Sequence, residues 1–372
     1  MKLIALGEVC TLINGGTPDT KNSKFWDGKH AWITPAEMGN LKSPFLGSSR
    51  RTLTDEGMRN SSAQLLPKHS VIMSSRAPIG HLIINEVPMA SNQGCKGLIP
   101  NETLNFKYLY YFLYANKEYL NELGSGTTFA EISGAKLKTV LIPLPSLDEQ
   151  LNIVKKLDSA FANIDLLEEN LGSSEIKTNE LLQSLLSSAF SSNKAQIDFT
   201  KVFTVIPDSK SKIKSSSYLE SGKYAVVDQG KELVAGYTDT SPTVDKKSLP
   251  VIVFGDHTRA VKYIDFPFTA GADGTQILKP SALTNPKYGF YLVLHAVGQI
   301  PSKGYARHFG ELKKMQFQLP SLPEQRKIVE KLDSVFAEIE VLKAQIKIEQ
   351  DHATALRQSL LSNAFTREEA VA

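Results

Sequence analysis

The sequence predicts an α+β protein: two mixed α/β domains separated by two long helices packed as an antiparallel coiled coil, the whole a pseudo-two-fold internal duplication. Three observations predict it. A block of 47 residues recurs at a constant offset of 175 with 24 identities, which chance does not produce. Each copy carries one apolar stripe at steps of three and four, the period of a helix. The segments ahead of the copies share short strand and helix patterns but little else.

The first copy begins Leu144-Pro145-Ser146-Leu147-Asp148-Glu149-Gln150 and the second Leu319-Pro320-Ser321-Leu322-Pro323-Glu324-Gln325, and the match runs ungapped to Ala189-Phe190 and Ala364-Phe365. Proline fixes its own φ and pushes its predecessor out of the helical region, and serine is a natural N-cap. Leu-Pro-Ser therefore reads as an extended lead-in to a helix. Glu149 and Glu324 stand three residues after Ser146 and Ser321, the spacing of a capping box. Behind them run Ile153, Val154, Leu157, Phe161, Ile164, Leu167 and Leu171, against Ile328, Val329, Leu332, Phe336, Ile339, Leu342 and Ile346. Roughly 44 helical residues at about 1.5 Å each make a rod of about 65 Å. Gly172-Ser173-Ser174 is expected to fray the first rod in its middle. A lone amphipathic rod leaves its stripe in water, so two near-copies in one chain most simply pack on each other. The expected seam is Val154, Leu157, Phe161 and Ile164 with Val329, Leu332, Phe336 and Ile339. The alternative is packing of each rod on its own domain or on another protein.

The repeat divides the chain into a first domain, 1–143, a first helix, 144–195, a second domain, 196–318, and a second helix, 319–372. In the domains Ser70-Val71-Ile72-Met73 reads like Pro250-Val251-Ile252-Val253, a short buried strand in both. Lys107-Tyr108-Leu109-Tyr110-Tyr111-Phe112-Leu113 likewise matches Lys287-Tyr288-Gly289-Phe290-Tyr291-Leu292-Val293 as a helical core pattern. The loops differ. Similar spacers with dissimilar domains are what a device recognising two different things at a fixed separation needs.

Charge follows the same division. Lys and Arg number 15 against 11 Asp and Glu in 1–143 and 16 against 11 in 196–318, but 4 against 8 in 144–195 and 7 against 9 in 319–372. The net +3 of the whole chain hides two basic domains and two acidic spacers, as expected where only the domains approach a polyanion. An imbalance of this size also occurs on proteins that never touch nucleic acid. With 372 residues and 41% apolar content each domain has material for a core. No run reaches the about 18 apolar residues of a membrane span, and the apolar stretch in Met1–Glu8 is too short for a signal peptide. A cytoplasmic protein is expected. Cys10 and Cys95, the only two cysteines, have no zinc-site spacing and are expected to be isolated buried thiols.

Three motifs recur: the Leu-Pro-Ser-Leu-x-Glu-Gln starts, the Ile-Val-x-Lys-Leu-Asp-Ser-x-Phe segment after each, and the closing Gln-Ser-Leu-Leu-Ser-x-Ala-Phe at 183–190 and 358–365. In these the chain resembles the specificity (S) subunits of type I restriction-modification systems. Leu6-Gly7-Glu8, Gly15-Gly16-Thr17-Pro18, Phe25-Trp26 and Trp32-Ile33-Thr34-Pro35 look like the opening of a first target-recognition domain of that family. The resemblance covers the whole chain, strongly in the helices and weakly in the second recognition domain. It implies a sequence-specific DNA-binding specificity subunit, itself non-catalytic. Each recognition domain would read one half of a bipartite asymmetric target while the helices set the gap. The implied partners are double-stranded DNA, two copies of a DNA methyltransferase (modification) subunit, and restriction subunits. No cofactor is implied in this chain: S-adenosylmethionine belongs to the methyltransferase, which methylates adenine N6 on a flipped base.

The residues themselves form no catalytic constellation. Gly134-Ala135-Lys136 lacks the Gly-Lys-[Ser/Thr] of a phosphate loop, and Asn285-Pro286-Lys287 lacks the second proline and the aromatic of an amino-methyltransferase motif. Pro207-Asp208 with Glu220-Ser221-Gly222-Lys223 has one residue too many between acid and lysine for a nuclease. Seven histidines are scattered without ligand spacing, so no metal site is expected. DNA readers are sought instead in loops combining Lys or Arg with Asn, Gln, Ser or Thr, because phosphate contacts position a protein and base-edge contacts specify. The first domain offers Lys21, Lys24, Ser74, Ser75, Arg76, Asn92, Gln93 and Lys96. The second offers Lys210, Lys212, Lys214, His257, Thr258, Arg259, Gln276, Lys303, Arg307 and His308. For each, a solvated loop charge or a turn amide is the plain alternative. Two other classes stand beside the DNA reader. A non-catalytic coiled-coil interaction protein with two basic ligand-binding domains would lack DNA affinity with a steep salt slope, and a stand-alone enzyme would need a catalytic cluster.

Overall fold

The computed structural model describes residues 2–41, 43–76, 78–125, 130–190, 196–207, 212–271, 273–301, 304 and 306–365. The chain falls into two compact units, Met1–Asn170 with Glu349–Ala372, and Leu171–Ile348. Each unit thus holds the start of one long helix and the end of the other.

In the first unit a five-stranded sheet runs in the order Cys10–Asn14, Cys95–Pro100, Val71–Ser74, Leu82–Asn85, Phe45–Leu46. All its pairs are antiparallel except the last. The inner strand Val71–Ser74 is buried throughout. Successive side chains of a strand point to opposite faces, and here each face has a core. Val71 and Met73 join Tyr108, Leu109 and Phe112 of the helix Phe106–Ala115, while Ile72 joins Ala31, Ile33 and Met89. That is why the strand reads as an unbroken apolar run. A three-stranded sheet sets Trp26–Ile33 between Arg51–Leu53, antiparallel, and Met89–Ser91, parallel. Leu3–Ala5 pairs with Leu141–Pro143 just ahead of the first long helix.

The second unit repeats this topology without the fifth, parallel edge strand. Phe203–Ile206, Thr275–Pro280, Val251–Gly255 and Val261–Ile264 form an antiparallel sheet in that order. Tyr224–Val227 lies between Gly236–Thr238, antiparallel, and Phe268–Ala270, parallel. Gln196–Asp198 pairs with Gln316–Gln318. The duplication therefore runs through the domains, where the sequence shows only two short traces of it.

The long helices form over Leu147–Phe190 and Leu322–Phe365, 44 residues each. Their starts are built alike. Ser146 donates its N–H (2.9 Å) and its hydroxyl (2.7 Å) to Glu149 Oε2, and Ser321 does the same to Glu324 at the same two distances. The glutamine that closes the motif is buried in both copies. Gln150 accepts from Asn105 N–H (2.8 Å) and donates to the carbonyls of Thr103 and Pro145 (3.0 Å each). Gln325 accepts from Asn285 N–H (2.7 Å) and donates to Leu283 (2.9 Å) and Pro320 (2.8 Å). Further along, Asp158 accepts from Lys107 Nζ and Tyr111 hydroxyl, both 2.7 Å, and Asp333 accepts from Lys287 and Tyr291 at the same distance. These contacts account for the repeated Glu-Gln and Leu-Asp-Ser segments: they weld each long helix to its domain.

The seam combines both packing modes that the sequence left open. In the first unit Val154, Leu157, Phe161 and Ile164 share one core with the domain's Tyr108 and Phe112 and with Ala353 and Leu361 of the other helix. Arg357 reaches Asp165 (2.5 Å) and Glu168 (3.3 Å) and lies 4.8 Å over the Phe161 ring. In the second unit Val329 and Leu332, with Phe336 beside them, meet Leu186 and Phe190 as well as Tyr288 and Leu292; Ile339 is also buried. In each unit the early part of one helix lies beside the late part of the other, so the pairing is antiparallel. Two details depart from the periodicity reading. Leu167 and Leu342 are exposed, at 39% and 47%, because a flat contact covers only part of so broad a stripe. The first helix also runs unbroken through Gly172-Ser173-Ser174, since one glycine costs a helix only about 1 kcal/mol.

Cys10 and Cys95 are buried free thiols, and burial pushes the pKa of both up to about 12. They carry no thiolate at neutral pH. The native protein is expected to resist iodoacetamide at about pH 8 and to take two labels once unfolded; rapid native labelling would show that a thiol is reachable.

Candidate nucleic-acid interface

Of the sequence-chosen residues, Ser74, Ser75, Arg76 and Lys96 in the first unit and His257, Gln276 and His308 in the second gather where the central strands end. In the first unit Ser75 N–H donates to Gly94 O (2.7 Å) and Ser75 O accepts from Ile132 N–H (3.0 Å). In the second, Asp256 N–H donates to Gly274 O (2.8 Å) and Asp256 O accepts from His308 N–H (2.9 Å). Ser74 pairs with Cys95 and Met73 with Lys96, as Gly255 pairs with Thr275 and Phe254 with Gln276. Register therefore equates Ser75 with Asp256, Arg76 with His257 and Lys96 with Gln276. The frame is constant and the side chains on it differ.

In the first unit Arg76, Gln93 and Lys96 come together with two residues that the sequence did not mark as DNA readers, Thr17 and Glu131. Thr17 donates its hydroxyl to Gln93 Oε1. Lys96, mostly buried, places Nζ 3.8 Å from Glu131 Oε1, and the Glu131 backbone bridges Arg76. Gly94 leaves room for Arg76, since a Cβ there would sit 3.1 Å from Arg76 Nε. Asn92 shapes the turn by accepting from Gly94 N–H at 2.9 Å. Ser74 and Ser75 are buried, and the Ser74 hydroxyl is spent on Pro78 O (2.7 Å) and His81 N–H (2.8 Å). Lys21 and Lys24 are exposed on a turn held by Asp19, which accepts from Lys21 N–H (2.9 Å) and Trp26 Nε1–H (3.1 Å).

In the second unit Gln229, also missed by sequence, organises the loop: its Oε1 accepts from His257 N–H (3.2 Å) and its carbonyl from the Thr258 hydroxyl. Arg259 sits at φ 60° and donates Nη1–H to Ile300 O at 2.9 Å, so its guanidinium braces the fold. His308 is buried, its N–H on Asp256 Oδ1 (2.8 Å) beside that of Phe309 (2.7 Å). Lys212 donates to Thr275 O (3.0 Å), Gln276 is half-buried, and Lys214, Thr258 and Arg307 are exposed. Lys210 and Lys303, and Asp208 of the nuclease-like match, lie outside the described residues. Behind the loop, burial pulls the Lys262 ammonium below its usual range, and its Nζ donates to Asp228 O at 2.9 Å.

Among the described residues no three His, Cys, Asp or Glu side chains gather as a metal site, and no described helix is long and apolar enough to cross a membrane. A family model described as the type I restriction modification DNA specificity domain matches residues 1–173 and again 196–350. The chain belongs to that family. The two matches fall on the two halves of the duplication, and the family's proteins are specificity subunits, the non-catalytic members of type I restriction-modification complexes. The chain is 35% identical over 187 residues to the type I restriction enzyme MjaIX specificity subunit of Methanocaldococcus jannaschii, covering 50% of this chain and 40% of that protein. It is 32% identical over 160 residues to the EcoR124I/EcoR124II specificity subunit of Escherichia coli, covering 41% and 39%. The chain thus spans about two fifths of each of these relatives. In fold it is similar to a chain solved in a study of assembly and conformational transition of the type I R-M system, with TM-score 0.75, 19% identity and coverage of 98% and 97%. It is also similar to the HsdS subunit from Thermoanaerobacter tengcongensis, with TM-score 0.55, 18% identity and coverage of 98% and 96%.

Proposed function

We propose that this chain is the non-catalytic specificity subunit of a type I restriction-modification enzyme, whose recognition domains 1–143 and 196–318 each read one half of a split, asymmetric DNA target. One observation carries the reading: a single topology and a single helix junction occur twice, with different side chains at register-equivalent loop positions. A fixed frame with changed loops alters what is read without altering where the reader stands.

The spacers 144–195 and 319–372 set the unread gap and dock two methyltransferase subunits. Docking is supported by exposed apolar residues on both spacers: Leu147, Leu166, Leu167 and Leu356 in the first unit, Leu322, Val341, Leu342 and Leu181 in the second. These match pair for pair at the repeat offset, and two equal apolar sets fit two equal partners. S-adenosylmethionine is held by those partners, and restriction subunits join the same assembly on double-stranded DNA in the cytoplasm.

Of the loop residues, Lys21, Lys24, Arg76 and Gln93 are the contacts proposed for one half-site, and Lys214, Thr258 and Arg307 for the other. Ser74, Ser75, Asn92, Lys96, Arg259 and His308 hold those loops in shape. Arg76→Ala is expected to weaken recognition of the first half-site alone, by about 1–3 kcal/mol if the arginine forks a guanine. Arg259→Ala is expected to harm only the second, through the loop. Methylation rates on targets altered in one half at a time check both; an equal loss across all sequences would assign Arg76 to phosphates. The function itself is tested by co-expressing the chain with its methyltransferase in a methylation-free host and sequencing the DNA for modified adenine. A split motif with a fixed gap, absent without this chain, is the expected result. No modification with an active, bound partner would overturn the reading.

A further inference from the structure

Resting on the reading of the first unit as a DNA-reading domain, we propose that Arg51, laid on Trp26, is a DNA-contacting side chain of the first half-site with no counterpart in the second. The Arg51 guanidinium carbon lies 3.5 Å from the centroid of the Trp26 ring and 5.6 Å from that of Trp32. The two indoles meet edge to face at 5.1 Å. Such stacking engages one face of the guanidinium and leaves its N–H edge for a pair of acceptors. Arg51 is exposed, and among the described residues it has no carboxylate partner. Asp55, four residues on, is taken by Lys29 (2.9 Å) and His30 (2.7 Å), and Glu37 accepts from the Arg50 amide (2.8 Å). The result is a charged fork, already oriented, on the surface of a basic domain.

The aromatic platform is tied to the loops proposed as readers. Trp32 Nε1–H donates to Gly16 O (2.9 Å), Gly16 N–H donates to Ser91 O (2.8 Å), and the adjoining Thr17 hydroxyl donates to Gln93. Trp26 Nε1–H donates to Asp19 O (3.1 Å), at the root of the turn that carries Lys21 and Lys24. Arg51 therefore joins Gln93 and the two lysines on one connected framework. Pre-organisation of this kind lowers the ordering cost of a contact.

Strand register shows that the second unit lacks the device. Trp32 pairs with Arg51 on one side and Ala90 on the other, whereas the corresponding central residue Val226 pairs with Gly236 and Thr269. Valine replaces the tryptophan and glycine the arginine. The sequence holds two tryptophans in all, so both indoles report on this one site.

The acceptor pair is either the edge of a guanine or a backbone phosphate, and the test separates them. With the target motif read from the co-expressed wild-type complex, binding of that complex is measured for wild type, Arg51→Gln and Arg51→Lys. Duplexes carry the full target, a scrambled first half, or a scrambled second half. Arg51→Gln is expected to lose about 5- to 150-fold on the full target, the range for one bidentate arginine contact, with an unchanged thermal midpoint. A loss seen on the full target and with the scrambled second half, absent with the scrambled first half and not restored by Arg51→Lys, assigns a guanine edge. A uniform loss largely restored by Arg51→Lys, which keeps the charge without the planar fork, assigns a phosphate. Tryptophan emission of the full chain is expected to change with the full target and with the scrambled second half, but not with the scrambled first half. Wild-type binding by both variants, or a loss that follows the second half, overturns the role of Arg51. Absence of any split motif with wild type overturns the subunit reading and this proposal together.

Discussion

Adding one heptad to each long helix is expected to lengthen the unread gap between the half-sites by about three base pairs and to leave both half-sites unchanged. Seven helical residues add about 10.5 Å of rise, and B-DNA advances about 3.4 Å per base pair. The insertions belong after Gly172 and after Lys347, which are equivalent in the repeat. A Cβ at Gly172 would meet nothing within 4 Å, so the site is open. Seven residues turn a helix through nearly two whole turns, which keeps each apolar stripe on its face. A heptad in one helix alone shifts every pair beyond it, and loss of methylation is expected there. Modified-adenine sequencing reads both variants. An unchanged gap in the double insertion would remove the ruler role while leaving the two readers in place.

The second large effect is expected at the buried amides. Gln150→Ala leaves the Asn105 N–H without its acceptor and deprives the Thr103 and Pro145 carbonyls of a donor, all beneath a helix start. Each stranded buried group costs about 1–3 kcal/mol, so a loss of about 3 kcal/mol or more is expected. Gln325→Ala does the same to Asn285, Leu283 and Pro320. Both tryptophans lie in the first unit, which makes the two losses separable. In denaturant titrations Gln150→Ala should move the tryptophan-detected transition to lower concentration. Gln325→Ala should leave that transition in place and move the one seen by circular dichroism. If Gln150→Ala left the tryptophan signal where it was, the amide would not be what joins spacer to domain.

The helices were legible because their signals are local. A proline-serine start, a glutamate three residues on and apolar steps of three and four act through one or two turns of backbone, and both helices begin three residues into the repeat, just after its Leu-Pro-Ser lead-in, and end where it does. The spacing cannot distinguish a covered stripe residue from an uncovered one. Ile164 is buried and Leu167, three residues on, is exposed only because of what lies opposite each. The loops show the same limit. Arg76 and Arg259 look equivalent as arginines after an apolar strand, yet register matches Arg76 with His257 and turns Arg259 inward to Ile300.

The duplication, the paired long helices, the basic domains and the family itself could be read from the chain, since each depends on residue type and spacing along it. Tertiary structure alone decided that both domains share the order of four strands in the larger sheet, that Gln150 and Asp158 join long helix to domain, and that Arg51 lies on Trp26. Those facts depend on strand pairing and on contacts between residues far apart in sequence, such as Gln150 with Thr103 and Trp32 with Gly16. Such pairings are selected by the collective burial of apolar surface and by the need of every buried polar group for a partner, conditions that no local stretch of sequence can express.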